Sequence, residues 1–216
     1  MPELAAFLVE RPDLLVEIAD SASAIKEAQA LRYHVFCVER RVFAANPKQC
    51  LECDEFDAAA QHILVRLAAT GEVVATSRVV AARRHRSRLP LHRYCHRSLL
   101  QHLPSKTTGE ISRFAISKQA RARQCTGPLI RLYLLRGILA ASQDLGLTHW
   151  CALMEPSLIR LLAATGIQFE AIGPLVDAHG HRQPCVARID AAVECGRVSH
   201  PHYYATVAQP SLAWAA

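Results

Sequence analysis

Two short stretches concentrate charge in a chain that is otherwise half apolar. Glu52-Cys53-Asp54-Glu55-Phe56-Asp57 sets four acids in six positions, and Glu110-Ile111-Ser112-Arg113-Phe114 sets an acid and a base inside an apolar run. The second run reads as a strand. In a sheet covered on both faces an unpaired charge is costly. Arg113 therefore needs an acid, and Glu110 needs a donor or a reason to stay protonated. Arg78 stands likewise inside an apolar strand-like run, and Arg32 lies on an apolar N-terminal helix. Three cations (Arg32, Arg78, Arg113) and three acids (Asp54, Asp57, Glu110) are expected to meet in one cleft. The plainer alternative, edge residues facing water, suits one arginine better than the whole set. Such a constellation suits chemistry in which a proton is removed and a developing oxyanion is held by fixed donors.

One geometric condition attaches to this reading. Residues two apart on a regular strand share a face, so Glu110, Ser112 and Phe114 point one way and Ile111, Arg113 and Ala115 the other. Glu110 and Arg113 serve a single cavity only if the strand is bulged, or if they reach it from different sides. A bulge would also free backbone N–H groups near Phe114 to Ile116 to hold an oxyanion.

The elements that must position these residues are legible from periodicity. Asp20 or Ser21 caps a helix expected to run to about Arg40, with Ile25, Ala28, Leu31, Val35 and Val38 at roughly helical spacing. Asn46-Pro47 ends it. Strands are predicted over residues 62–67, 73–80 and 110–117, the first two joined by a turn at Gly71. Pro128 opens a long apolar helix over residues 129–145, closed by Gly146. A strand over 148–154, a helix over 156–164 stopped by Gly166, and strands over 169–172 and 186–189 follow. This order predicts an α/β (α+β) fold, a mixed twisted central sheet covered by helices on both faces.

The 216 residues are 51% hydrophobic and 20% charged, which suits one domain over residues 1–198 with a C-terminal tail over 199–216. No run of 18 apolar residues occurs, so no transmembrane segment is expected. The first twenty residues carry five acids and lack the pattern of a signal peptide, and the expected location is cytoplasmic. The eight cysteines are then expected as reduced thiols, with Cys151 and Cys185 in the core. Cys50 and Cys53 form a CxxC pair without a second pair at matching spacing, so no metal site is expected, although Cys95-His96 would complete one. Cys125, on the loop before the long helix, is a rival nucleophile.

The net charge of +6 is uneven: Arg83, Arg84, Arg86, Arg88, Arg93 and Arg97 crowd one segment. Such a patch draws an acidic partner, a nucleic acid or an acidic carrier protein, or is simply a solvated loop. Only Tyr94 interleaves with the arginines, so nucleic acid is not expected, and a nucleic-acid-binding protein stands as an alternative.

Arg32-Tyr33-His34-Val35-Phe36, the Asp54 and Asp57 pair, Arg78, and Glu110-Ile111-Ser112-Arg113-Phe114 together resemble the acyl-homoserine-lactone synthases and N-acyl amino acid synthases, enzymes of the GNAT fold. The segments at 110–117, 148–156 and 180–188 resemble the branch called PEP-CTERM/exosortase system-associated acyltransferases. The resemblance implies a GNAT-like acyltransferase that moves a long acyl chain from an acyl carrier protein thioester, with acyl-CoA as the other donor, to the amine of an amino acid or similar small acceptor. It implies Glu110 as general base, Arg113, Arg78, Asp54 and Asp57 as the cluster shaping the acceptor site, with Ser112 and Phe114 beside them on the same strand, and Arg32 and Phe36 on a segment closing over it. No bound cofactor is implied. Arg121 and Arg123 are candidate carrier-binding residues, and Leu132, Leu135, Trp150, Ala152 and Met154 are candidate acyl walls or plain core. The lactone synthases have a tryptophan soon after the arginine–phenylalanine pair; here Phe43 stands nearby and no tryptophan precedes Trp150, which argues against S-adenosylmethionine as acceptor. The loop over residues 121–127 has one glycine, which favours a carrier protein over coenzyme A. A coenzyme A-dependent GNAT acetyltransferase remains the alternative.

Overall fold

In a computed structural model of the chain, residues 14–82, 88–122 and 127–208 are described. Strand β1 (Leu14–Ile18) leads into helix α1 (Ala22–Tyr33), whose winding continues as a π-helical segment over His34–Glu39. Strands β2 (Ala60–Leu67), β3 (Val73–Ala81) and β4 (Thr108–Ile116) follow, then a single turn α2 (Lys118–Arg121) and the long helix α3 (Gly127–Asp144). The chain continues through β5 (His149–Met154), α4 (Pro156–Ala163), β6 (Glu170–Ala171), β7 (Val176–Asp177), β8 (His181–Arg188), α5 (Ile189–Ser199) and α6 (Pro201–Ala208).

The strands form one sheet in the order β1-β2-β3-β4-β5-β8-β6, with β7 pairing β8. Every pairing among the described residues is antiparallel except β4 with β5. The expected mixed sheet is therefore one parallel junction between antiparallel halves, bridged by α3. Period-two alternation sorts the faces: Ile63 and Val65 pack in the large core with Ile130, Leu134 and Ile138 of α3, while Leu64 packs against Ala24 and Ala28 of α1. Helices thus cover both faces. Gly137 lets α3 sit close on the sheet, since a Cβ there would lie 2.3 Å from Ile63 Cγ2 and 2.7 Å from Val16 Cγ2.

The local chemistry agrees with the sequence at several ends. The Ser21 side chain accepts from the Ala24 N–H, capping α1. Gly146 takes a φ of 59° just after α3, the left-handed conformation that ends helices. Other features depart from expectation. β1 was not anticipated; five residues with Leu14 and Val16 buried are too short to show alternation. β8 begins at His181, five residues before the predicted start, because its polar start and Pro184 hide it. Residues after Ser199, expected as a tail, include helix α6, whose Val207 packs against the main core. Arg83, Arg84, His85, Arg86, Arg123 and Cys125 lie outside the described residues.

Candidate active site

β4 and β5 pair only at Thr108–His149, Gly109–Trp150 and Glu110–Cys151. Beyond Glu110 they carry no further pairs, so Glu110 stands at the vertex of a parting sheet. The cleft that opens there, about 180 Å³, is lined by residues 110–114 of β4, by Leu153, Met154 and Glu155 at the end of β5, and by Phe36, Phe43 and Leu91.

The β4 strand is bulged, the first of the two arrangements that the geometric condition allowed. The β3–β4 register passes from Thr76–Ala115 to Arg78–Ser112, so Arg113 and Phe114 together oppose the single residue Ser77. Arg113 has a φ of 56°, a left-handed conformation unusual for a residue with a Cβ. The extra residue turns the Arg113 guanidinium to the face that carries Ser112 and Arg78.

On that face lies an ion cluster. Arg32, fully buried, donates from Nε to Glu52 Oε2 at 2.6 Å and from Nη1 and Nη2 to Asp57 at 2.9 and 2.8 Å. Arg78, also fully buried, grips Asp54 with Nη1 and Nη2 at 2.6 and 2.8 Å, reaches Asp57 Oδ1 at 2.5 Å, and donates from Nε to Ser112 Oγ at 3.0 Å. Arg113 donates from Nε to Glu52 Oε1 at 2.9 Å and from Nη2 to Asp54 Oδ2 at 3.0 Å. Its guanidinium also lies over the Phe43 ring, 4.9 Å from the centroid. Three guanidinium groups and three carboxylates cancel, which is the condition for burying them, and the partly exposed Arg93 approaches Asp54 at 3.9 Å from outside the set. Although burial opposes ionisation, the Arg32 and Arg78 guanidinium groups hold the Asp57 carboxyl well below its ordinary range, and Arg78 and Arg113 lower that of Asp54.

The third acid is therefore Glu52, not Glu110. Sequence reasoning saw Glu52 among the four acids but did not assign it; the charge count of the cluster was the available signal. Glu110 is 2% exposed and stands apart, its Oε2 accepting from the Leu91 N–H at 2.8 Å. Burial raises its carboxyl to about 8, against the smaller pull of the Leu91 N–H and the nearby Arg78 and Arg113 charges. Beside the depressed Asp54 and Asp57, it is the acid with a reason to be protonated near neutral pH.

The N-terminal segment crosses the cleft. Phe36 is buried in the π-helical stretch and packs on Phe43 at 5.5 Å between ring centroids. The Glu39 carboxylate accepts from the Lys118 N–H beyond the end of β4 at 2.9 Å, and Arg40 pairs with Glu155 at the end of β5. Glu155 also receives Arg182 of β8 at 2.8 Å, and His179 of the β7–β8 turn meets the Phe43 ring edge-on at 4.9 Å. Arg40, Glu155, His179 and Arg182 went unassigned in the sequence because long-range pairing brings them to the mouth. Arg121 is exposed, with Nη2 3.6 Å from Glu39. Of the candidate acyl walls, Leu135, Trp150 and Met154 line the cleft; Leu132 and Ala152 are core. Cys151 and Cys185 are buried, and Cys50 and Cys53 are exposed free thiols.

Residues 31–131 match the family model described as an acetyltransferase (GNAT) domain. No curated protein matches the chain. Among solved structures, the fold is similar to that of the AHL synthase LasI, at 17% identity and a TM-score of 0.63 over 83% of this chain and 93% of that one. It is similar to BjaI, a CoA-dependent acyl-homoserine lactone synthase solved with SAM and isopentyl-CoA, at 17% identity and a TM-score of 0.68 over 92% and 90% of the two chains. It is also similar to FeeM, an N-acyl amino acid synthase from uncultured soil microbes, at 13% identity and a TM-score of 0.64 over 84% and 93%. At these identities the likeness is one of fold, and it spans nearly the whole of each neighbour. The segment that matches the acetyltransferase (GNAT) model contains every charge of the cluster and its vertex carboxyl, and the chain shares the fold of these synthases.

Proposed function

We propose that this domain transfers a long acyl chain from an acyl carrier protein thioester to the amine of an amino acid or a similar small acceptor, with Glu110 as the base. The observation that supports this most is the position of Glu110: buried at the vertex, with an apolar cleft on one side and the neutral ion cluster on the other. In this reading the acceptor ammonium loses a proton to the ionised Glu110, directly or through one water. The amine attacks the thioester carbonyl, the carbon–nitrogen bond forms and the carbon–sulfur bond breaks. The departing thiolate takes the second nitrogen proton, and Glu110 releases the first to solvent. Backbone N–H groups around the bulge at Arg113 and Phe114 hold the transient oxyanion. The ion cluster, already satisfied within itself, acts as a rigid wall that orients the acceptor rather than as a set of free charges.

The donor and acceptor rest on further particulars. FeeM is an N-acyl amino acid synthase, and the lack of a tryptophan near Phe43 favours a simple amine over a sulfonium acceptor. A carrier protein is acidic, and exposed Arg121, close to Glu39, would meet it, with Arg123 a candidate from the sequence alone. The sequence resemblance to the exosortase-associated branch points to the same donor.

The test is thiol release from acyl carrier protein with a panel of amino acids. Glu110→Gln should lower turnover by about 10²–10⁴-fold while the protein stays folded. Wild-type activity should rise with pH through about 8 as the Glu110 carboxyl ionises. A Glu110→Gln enzyme at full rate removes Glu110 from the chemistry, and a preference for acetyl-coenzyme A selects the acetyltransferase alternative.

A further inference from the structure

Behind the reaction cleft lies a second apolar space. Leu135, Trp150 and Ile167 line both, so these three side chains form the wall between them. The rear space holds only about 30 Å³ and is bordered by α5 and by Tyr204 and Val207 of α6. Trp150 is fixed from two sides. Its indole Nε1–H donates to Ser142 Oγ at 2.8 Å, and that hydroxyl donates to the Ile138 carbonyl at 2.7 Å. Its ring also stacks on Phe169, with centroids 6.3 Å apart and planes inclined by 19°. An apolar residue of similar size would fill the space as well; a pinned indole fills it in one orientation only.

We infer that Trp150 is the stop that sets the longest acyl chain the enzyme accepts, with the chamber under α6 as unused length beyond it. This rests on the acyltransferase reading above. The tail enters beside Glu110, runs between α3 and α4, and meets the face of the indole. Truncating Trp150 joins the two spaces, and the chain extends towards Tyr204 and Val207. Each additional methylene that leaves water tightens binding by roughly fourfold.

The experiment measures binding of saturated acyl-pantetheine thioesters from butanoyl to hexadecanoyl, by calorimetry, to the full chain. Wild type should show an affinity that climbs with length and then falls at a sharp limit. Trp150→Ala should move that limit outwards by about two carbons or more, tightening the longest ligands by about fifteenfold. Gly196, on α5 beside the chamber, has room for a Cβ: outside its own helix, the nearest described atom to a Cβ placed there is Tyr204 Cδ2, at 4.0 Å. Trp150→Ala with Gly196→Leu should refill the chamber and draw the limit back. If Trp150→Ala does not fold, Trp150→Phe keeps a ring against Phe169, gives up the bond to Ser142, and should move the limit by a smaller step the same way. An unchanged limit in a folded Trp150 variant overturns the stop. Absence of binding at every length in wild type overturns the acyl reading itself, and the two failures are distinct.

Discussion

The Glu110 carboxyl is raised to about 8 from an ordinary 4.5, so between those values the native state holds a proton that the unfolded chain has lost. The sign follows: the carboxyl burdens folding least below about 4.5, and stability falls as pH rises from there through about 8, where the buried group ionises. Glu110→Gln is therefore expected to match wild type in melting temperature near pH 4 and to exceed it increasingly from there up to about pH 8. Thermal unfolding across that range checks it, and a constant offset would mean that burial does not shift the group. If Glu110 is the base as proposed, activity and stability should respond to this one substitution in opposite directions. The sequence exposed Glu110 because a lone acid in an apolar strand is conspicuous. It hid the partnership of Glu52, because four acids in six loop positions give no sign of which two or three turn inwards. That choice is made by the single helical turn at Asp57–Ala59 and by the left-handed backbone at Cys50.

At the scale of elements, two irregularities position the site. The bulge at Arg113 brings residues of opposite strand parity to one face, and the π-helical His34–Glu39 segment carries Phe36 over the cleft and hands the chain on to Arg40 at its rim. A bulge was legible as one of two ways for Glu110 and Arg113 to share a cavity, the other being approach from different sides. The π winding was not: the apolar spacing read as one helix to Arg40, and a widened turn leaves the periodicity almost intact. Long, strongly periodic elements such as α3 and the β2–β3 hairpin were readable almost to their ends. The edge strands β1, β6 and β7 were obscure because so few residues cannot display a period. Packing adds a check on α3. Gly137→Ala places a methyl group 2.3 Å from Ile63 Cγ2, so helix and sheet must separate. Despite the higher helix propensity of alanine, the variant is expected to lose about 1–3 kcal/mol in urea unfolding. A gain in stability would show that α3 can slide without cost.

For the whole molecule, the ion cluster is a clasp between distant parts: α1 supplies Arg32, the loop supplies Glu52, Asp54 and Asp57, β3 supplies Arg78 and β4 supplies Arg113. Removing one member leaves a buried charge without its counterpart. Asp57→Ala takes a carboxylate from both Arg32 and Arg78 and is expected to cost about 3–5 kcal/mol, read by chemical denaturation. A loss below about 1 kcal/mol would mean water reaches the arginines. Wild type should also be acid-sensitive. Asp54 and Asp57 are depressed below their ordinary 3.8, so their contribution is complete above that value and is lost as pH falls through the folded values.

The sheet has a seam. Its first half, through β4, holds every member of the clasp and the vertex carboxyl; its second half, from α3 onwards, brings Trp150, Met154 and the far wall of the gap, and the two meet along three parallel residue pairs. Under the proposed reaction, proton handling and acceptor choice would be encoded in one stretch of polypeptide and tail selection mainly in another. A chimaera joined between β4 and α3 would exchange the fatty moiety of the product while leaving its head group as it was.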